Sequence, residues 1–217
     1  MVLFETLVED HHPFQHWIGN GFLPKDTIRQ INKQWPRQSD ARWHRERGKT
    51  TSKGSILFPR QIPDAANAVA EYLYSPGSLE TLSAITGIDL LPDPWFKNGP
   101  AMPRLGGGLH EIMPGGFLKM HVDFTLHPAG VERALNLLIY LNEDWSEDWG
   151  GDLELHGERV KKISPMGGRV VIFPTHDKSW HGHPDPLTCP ENRARRSLAL
   201  YYYKEGNGDR PNTVYRK

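Results

Sequence analysis

The spacing of apolar and polar positions changes character near residue 100. Upstream, apolar residues recur at helical intervals. The segment from Pro24 through Trp35 carries Ile28 and Ile31 and is stopped by Pro36, which predicts a first helix. Asp64 to Leu73 predicts a second, with Asp64 as its cap. Ser78, Leu79, Leu82 and Ile85 predict a third, ended by Gly87. Between the first two lies a polar, basic run holding Arg37, Arg42, Arg45, Arg47, Lys49 and Lys53. It reads as a solvated loop, with a flap over a substrate mouth as the second reading.

Downstream, short β runs alternate with Gly, Pro, Asn and Asp. The expected strands are Leu109 to Met113, Leu118 to Val122, Ala134 to Leu141, Asp152 to Leu155, Arg159 to Ile163, Arg169 to Phe173, Trp180 to His183 and Ser197 to Tyr203. Short strands at this spacing predict a two-sheet sandwich or jelly roll. The whole chain, 1–217, reads as one domain. Residues 1–100 form a mainly helical layer, and residues 101–217 form the β core on which it packs.

Composition narrows the function classes. Hydrophobic residues are 37% of the chain, with seven Trp, eight Phe and seven Tyr, enough for a packed core. Lys plus Arg and Asp plus Glu are 26 each, so charge gives no pull toward nucleic acid or membrane. The one cysteine, Cys189, excludes an internal disulfide and a cysteine-based zinc or iron–sulfur site. No targeting pattern or membrane-length apolar run is evident, so the expectation is a cytoplasmic protein.

Eleven histidines carry little information as a count. His11, His12, His16, His44, His156 and His176 read as ordinary surface or loop residues. His121-Val122-Asp123 is different, because on an extended strand both polar side chains leave the same face. Sixty residues later, His181 follows the strand Val170 to Pro174 within Trp180-His181-Gly182-His183-Pro184. Two His and one carboxylate form the facial set that holds non-haem Fe(II) with open positions. Octahedral iron has six positions; a 2-oxo acid takes two and dioxygen one, leaving three for protein. His183 competes with His181 as third ligand, since both lie on one strand face. His181 is preferred because Gly follows it, whereas His183 abuts Pro184 where the strand must end.

The ordered elements resemble the prolyl-4-hydroxylase-like branch of the 2-oxoglutarate/Fe(II)-dependent dioxygenase superfamily. They are Pro114-Gly115-Gly116-Phe117-Leu118 before His121-Val122-Asp123-Phe124, then Leu138 to Asn142 with Asp144-Trp145. Gly150 to Leu155, Arg169 to Phe173, Trp180-His181-Gly182 and Arg195 to Tyr201 follow. The resemblance covers roughly residues 105 to 204. It implies a double-stranded β-helix (a cupin-like jelly roll) and three metal ligands, His121, Asp123 and His181. It also implies 2-oxoglutarate as co-substrate, dioxygen as oxidant and ascorbate as a candidate reductant. The distal carboxylate of 2-oxoglutarate is normally held by an Arg of the last core strand, and Tyr140 matches a position whose hydroxyl shares it. Asn136 and Leu138 should face the same way as Tyr140.

Arg195 and Arg196 are adjacent and face opposite ways on a strand, and periodicity does not choose between them. The family pattern does, because its Arg is followed two positions later by a small or hydroxyl residue, here Ser197. Two departures stand out. Arg195 lies fourteen residues past His181 rather than about ten, which places an added loop at Pro184 to Asn192. The Tyr usual before the Pro-Gly segment is Ile112, and His110, two residues earlier, either replaces its contact or is a buried, hydrogen-bonded His. Gly106 to Gly108 lacks the context of a phosphate cradle, Gly150-Gly151 reads as a turn, and Tyr201 to Tyr203 as sheet core and edge.

The expectation is therefore a hydroxylase acting on a small-molecule, peptidyl or glycan substrate. Halogenating relatives lack the carboxylate that Asp123 keeps. The rival readings are a non-catalytic cupin-like module for a metal or sugar, and a zinc hydrolase. Neither needs an Arg placed for a dicarboxylate.

Overall fold

The computed structural model describes residues 2–58, 62–97 and 107–216. The chain begins with β1 (Leu7–Asp10), β2 (His16–Gly19), α1 (Lys25–Lys33), β3 (His44–Arg47), β4 (Ser52–Leu57), α2 (Asp64–Leu73) and α3 (Pro76–Thr86). It continues with β5 (Gly108–Ile112), β6 (Leu118–Val122), β7 (Leu126–His127), β8 (Val131–Tyr140), β9 (Leu153–His156) and β10 (Val160–Ile163). The last strands are β11 (Val170–Pro174), β12 (Trp180–His183), β13 (Arg195–Glu205) and β14 (Val214–Tyr215).

Two antiparallel sheets form the double-stranded β-helix expected from the sequence. One runs β1-β2-β11-β8-β13-β5-β4-β3, with β7 on β8; the other runs β10-β9-β12-β6-β14. The eight strands expected downstream of residue 100 are the central four of the large sheet and the first four of the small one.

The helices pack on the outer face of the large sheet. Ile28 and Ile31 of α1, Val69 and Leu73 of α2 and Leu82 of α3 share one core with Leu137 and Ile139 of β8 and Leu198, Leu200 and Tyr202 of β13. The inner face of the same sheet carries Tyr140 and, with Leu153, Leu155, Val171 and Phe173, a second core between the sheets. Burial on both faces explains why β8 and β13 read as almost unbroken apolar runs.

The N-terminal hundred residues are less purely helical than their pattern implies. β2 extends the large sheet along β11, pairing Gly19 with Val170. The basic run read as a loop or flap is instead largely a hairpin. β3 and β4 pair Glu46 with Lys53, and β4 adds to β5 through Gly54 and Glu111. Cross-strand pairing to a distant segment decided this, and local pattern does not report it. Asp64 is the first helical residue of α2, with Pro63 at the cap and no side-chain cap bond. α3 starts two residues earlier than expected, at Pro76, and Gly87 ends it with φ 70° as expected. His16, read as a surface residue, is fully buried in β2, its ring against the Phe14 carbonyl. Tyr202 and Tyr203 are core, and Tyr201 is buried on the inner face.

Helix-to-sheet packing should dominate stability. Leu200→Ala, at a fully buried site, is expected to cost about 2–5 kcal/mol. Val160→Ala, at a position 51% exposed, should cost no more than about 0.5 kcal/mol. Urea denaturation checks both, with the Leu200 variant shifting the midpoint at constant slope.

Candidate metal centre and adjoining cavity

β6 and β12 are antiparallel neighbours, and their register makes His181 the direct partner of His121. Their rings lie 4.2 Å apart between centroids. Asp123 follows β6 directly, and its Oδ1 is 3.7 Å from His121 Nε2 while its Oδ2 is 3.4 Å from His181 Nε2. One ligand atom from each of the three falls within 4.8 Å of the others, and all three residues are buried. Among the described residues this is the one His/Cys/Asp/Glu group of that kind.

The ring orientations are set by the backbone. His121 Nδ1 lies 2.8 Å from the Lys119 carbonyl, and His181 Nδ1 lies 2.9 Å from the Ser179 carbonyl. A carbonyl there takes an Nδ1–H, so each ring turns a lone pair on Nε2 toward its partners, as a metal ligand requires. Burial, reinforced by His181, pushes the His121 imidazole down to about 3, so it is neutral at ordinary pH. Burial also works to raise the Asp123 carboxyl, but Arg133 and the two imidazoles outweigh it and hold it well below the usual range. A neutral imidazole and an ionised carboxylate are the forms that bind a metal.

Asp123 is itself positioned by β8. Arg133 donates to its Oδ2 at 3.1 Å, and Asn136 Nδ2 donates to the same oxygen at 2.8 Å. Both donors fall on Oδ2, which leaves Oδ1 turned toward His121. Arg133 is 2% exposed, also donates to Asn136 Oδ1, and lies 3.4 Å from the Tyr201 ring centre. Asn136 was expected on this face; Arg133 was not singled out. The available signal was a charged residue inside an otherwise apolar strand, since Arg is seldom fully buried without a partner.

The three residues border a cavity of about 70 Å³ between the sheets, which also takes in Arg195, Ser197, Leu138, Leu153 and Phe173. Arg195, 5% exposed, points inward as expected. Its Nε donates to the Gly151 carbonyl at 2.7 Å, and its Nη2 donates to the Tyr140 hydroxyl at 3.2 Å. The Gly150-Gly151 turn thus does more than start a strand. Gly151 has φ 78°, and a Cβ there would lie 3.1 Å from the Arg195 side chain. Ser197 sits in register between Tyr140 and His110. Arg196 goes the other way, to Glu111 at 3.5 Å, Asn32 at 3.3 Å and the face of Trp35.

A bulge in β12 falls between His181 and His183; His183 also lines the cavity but lies outside the three-residue group. His110 borders the cavity too. The added loop folds back on the Pro114-Gly115-Gly116 turn, with Leu187 exchanging backbone hydrogen bonds with Gly115 and Gly116. The cavity opens to a mouth of about 180 Å³ between the β3–β4 hairpin and residues 211–215, where Glu46, Thr50 and Lys53 face Thr213 and Tyr215. No helix among the described residues is long and apolar enough to cross a membrane.

Residues 107–203 match the family model described as the 2OG-Fe(II) oxygenase superfamily. No curated protein sequence matches the chain. Among solved structures, a Pseudomonas putida prolyl-4-hydroxylase is similar with a TM-score of 0.64 at 18% identity, over 88% of this chain and 93% of that one. A Trichoplax adhaerens prolyl hydroxylase, in complex with a hypoxia inducible factor peptide fragment, gives 0.62 at 17%, over 87% and 83%. A collagen prolyl hydroxylase of Paramecium Bursaria Chlorella virus-1, in complex with 2OG, gives 0.57 at 12%, over 87% and 96%. At these identities the likeness shows the fold, the same double-stranded β-helix. The family match spans every residue of the triad and the arginine beside it, so residues 107–203 form a region of the 2OG-Fe(II) oxygenase superfamily.

Proposed function

We propose that this enzyme is a hydroxylase in which His121, Asp123 and His181 hold Fe(II) and Arg195, Tyr140 and Ser197 hold 2-oxoglutarate. The observation that carries the reading is the buried Arg195, which lines the same cavity as the triad and donates to the Tyr140 hydroxyl. Bound iron would supply the activation of dioxygen that couples decarboxylation of 2-oxoglutarate, to succinate and CO2, with oxygen insertion into a substrate C–H bond.

The residues fit these tasks. The Arg195 fork, steadied by the Gly151 carbonyl, presents N–H groups to a carboxylate, and Tyr140 adds a hydroxyl. Leu138, Leu153 and Phe173 keep water from the space between that pair and the triad. Asp123 supplies a carboxylate where a halogenating enzyme needs an open position. Neither a metal- or sugar-binding module nor a zinc hydrolase has use for a desolvated arginine beside the triad. The mouth, with Glu46, Thr50 and Lys53, suits a polar substrate. Small-molecule, peptidyl and glycan substrates all fall in that class, and a peptide occupies the Trichoplax adhaerens relative.

His121→Ala, Asp123→Ala and His181→Ala are each expected to abolish turnover and weaken Fe(II) binding with the fold intact by circular dichroism. Asn136→Ala should cost about 10- to 100-fold in metal affinity, because it removes a partner that orients a ligand. A stoichiometric Fe(II) site that survives His181→Ala would refute this ligand set.

Arg195→Ala would leave a buried carboxylate unpaired, at about 3–5 kcal/mol. The 2-oxoglutarate dissociation constant should then rise roughly 100- to 4000-fold. Arg196→Ala should leave it nearly unchanged. Anaerobic titration of the Fe(II) protein with 2-oxoglutarate, read from the metal-to-ligand absorption band, distinguishes the two.

Under labelled dioxygen, one labelled atom should appear in succinate and one largely in product, with no halogen incorporated in excess chloride. Loss of two hydrogens without oxygen gain would assign a desaturase instead. Mass spectrometry of both products decides this.

A further inference from the structure

One polar side chain in the cavity has no part in the arrangement described so far. His183 is 3% exposed, and neither of its ring nitrogens has a hydrogen-bond partner among the described residues. That sets it apart from His121 and His181, whose Nδ1 atoms each lie against a backbone carbonyl. Buried polar groups are paired as a rule, and one that is not calls for an explanation in function. The register shift in β12 sets His183 opposite Leu118 rather than Lys119, and the ring borders the cavity without joining the metal group.

Its surroundings indicate which chemistry would satisfy it. Arg195 and Ser197 line the same cavity as His183. The Arg195 Nε already donates to the Gly151 carbonyl, so the remaining guanidinium edge, the Ser197 hydroxyl and an imidazole N–H are the donors on the cavity wall, with the Tyr140 hydroxyl against Arg195 Nη2. Donors gathered around one space, with no acidic side chain among the residues lining that part of the cavity except Asp123, suit an anionic oxygen pair.

We propose that His183 is a co-substrate-binding residue that donates a ring N–H to the carboxylate of 2-oxoglutarate paired by Arg195. This rests on the reading of Arg195 as the 2-oxoglutarate anchor. It adds an imidazole donor to the set of Arg195, Tyr140 and Ser197, and it makes the ligand-free protein carry a buried imidazole whose partner arrives with the co-substrate.

The test uses the full chain loaded with Ni(II), which occupies the metal centre without turnover, titrated with 2-oxoglutarate by calorimetry. Wild type, His183→Val, His183→Gln and Arg195→Ala are compared. His183→Val is expected to raise the dissociation constant about 10- to 100-fold, the usual range for a hydrogen bond to a charged group. His183→Gln keeps an N–H donor and should fall between Val and wild type. The metal-free His183→Val protein should unfold at the wild-type temperature or above it, because an unpartnered buried ring has been exchanged for an apolar one. Weaker binding with undiminished stability separates a ligand contact from a structural one. If His183→Val binds 2-oxoglutarate within twofold of wild type while Arg195→Ala does not bind, His183 has no such role. If wild type fails to bind, or Arg195→Ala binds normally, the anchor reading falls and this proposal with it.

Discussion

A carboxylate buried between two imidazoles is the constraint around which this molecule is arranged. Asp123 keeps its charge chiefly because a fully buried guanidinium, Arg133, meets it on one oxygen. Removing one member of such a pair typically costs about 3–5 kcal/mol, since the other is left uncompensated. The pair also joins the two sheets: Asp123 leaves the end of β6 in the small sheet, and Arg133 comes from β8 in the large one. Arg133 is fixed in turn by Asn136 on its own strand and by Tyr201 on β13. Sheet spacing, carboxylate orientation and the position of β13 are thus set by one charged cluster.

β8 and β13 serve two environments at once. Their outward residues lock into the helical layer, where Leu137, Ile139, Leu198 and Leu200 are wholly buried. Their inward residues, Asn136, Tyr140, Arg195 and Ser197, therefore project from strands that have little freedom to move. Sites carried by well-packed strands hold geometry better than sites carried by loops. The helices never touch the chemistry, yet they are what makes the inner face rigid.

The N-terminal region has a second task besides backing the sheet. Its hairpin, β3–β4, extends the large sheet past β5 and places Glu46, Thr50 and Lys53 at the cavity mouth. The opposite rim comes from the chain's last segment, where β14 pairs Tyr215 with His121. Substrate access is therefore framed by two segments that lie outside the eight-stranded core, while the core itself supplies the triad and the arginine.

Short β runs bounded by turn residues were enough to read the eight core strands, because each run is delimited by its own local pattern. The H-x-D pair, the later His-Gly and the family order of motifs located the triad, since residues two apart on a strand share a face by geometry alone. What the sequence left open was every relation between distant segments. Arg195 and Arg196 are equivalent by periodicity; the family pattern favoured Arg195, and packing is what sends it to Tyr140 and its neighbour to Glu111 and Trp35. The basic run became a hairpin because β5 offered it an edge. Arg133 stood in plain view, but its meaning depends on Asp123, ten residues away and across a gap between sheets. His183 looked like a competitor of His181 until a bulge in β12 set it apart from the triad, on the wall of the cavity that Arg195 also lines. Strand identity is a local property and is written locally; register, partnering and burial are sums over segments far apart in the chain, and only the folded molecule evaluates them.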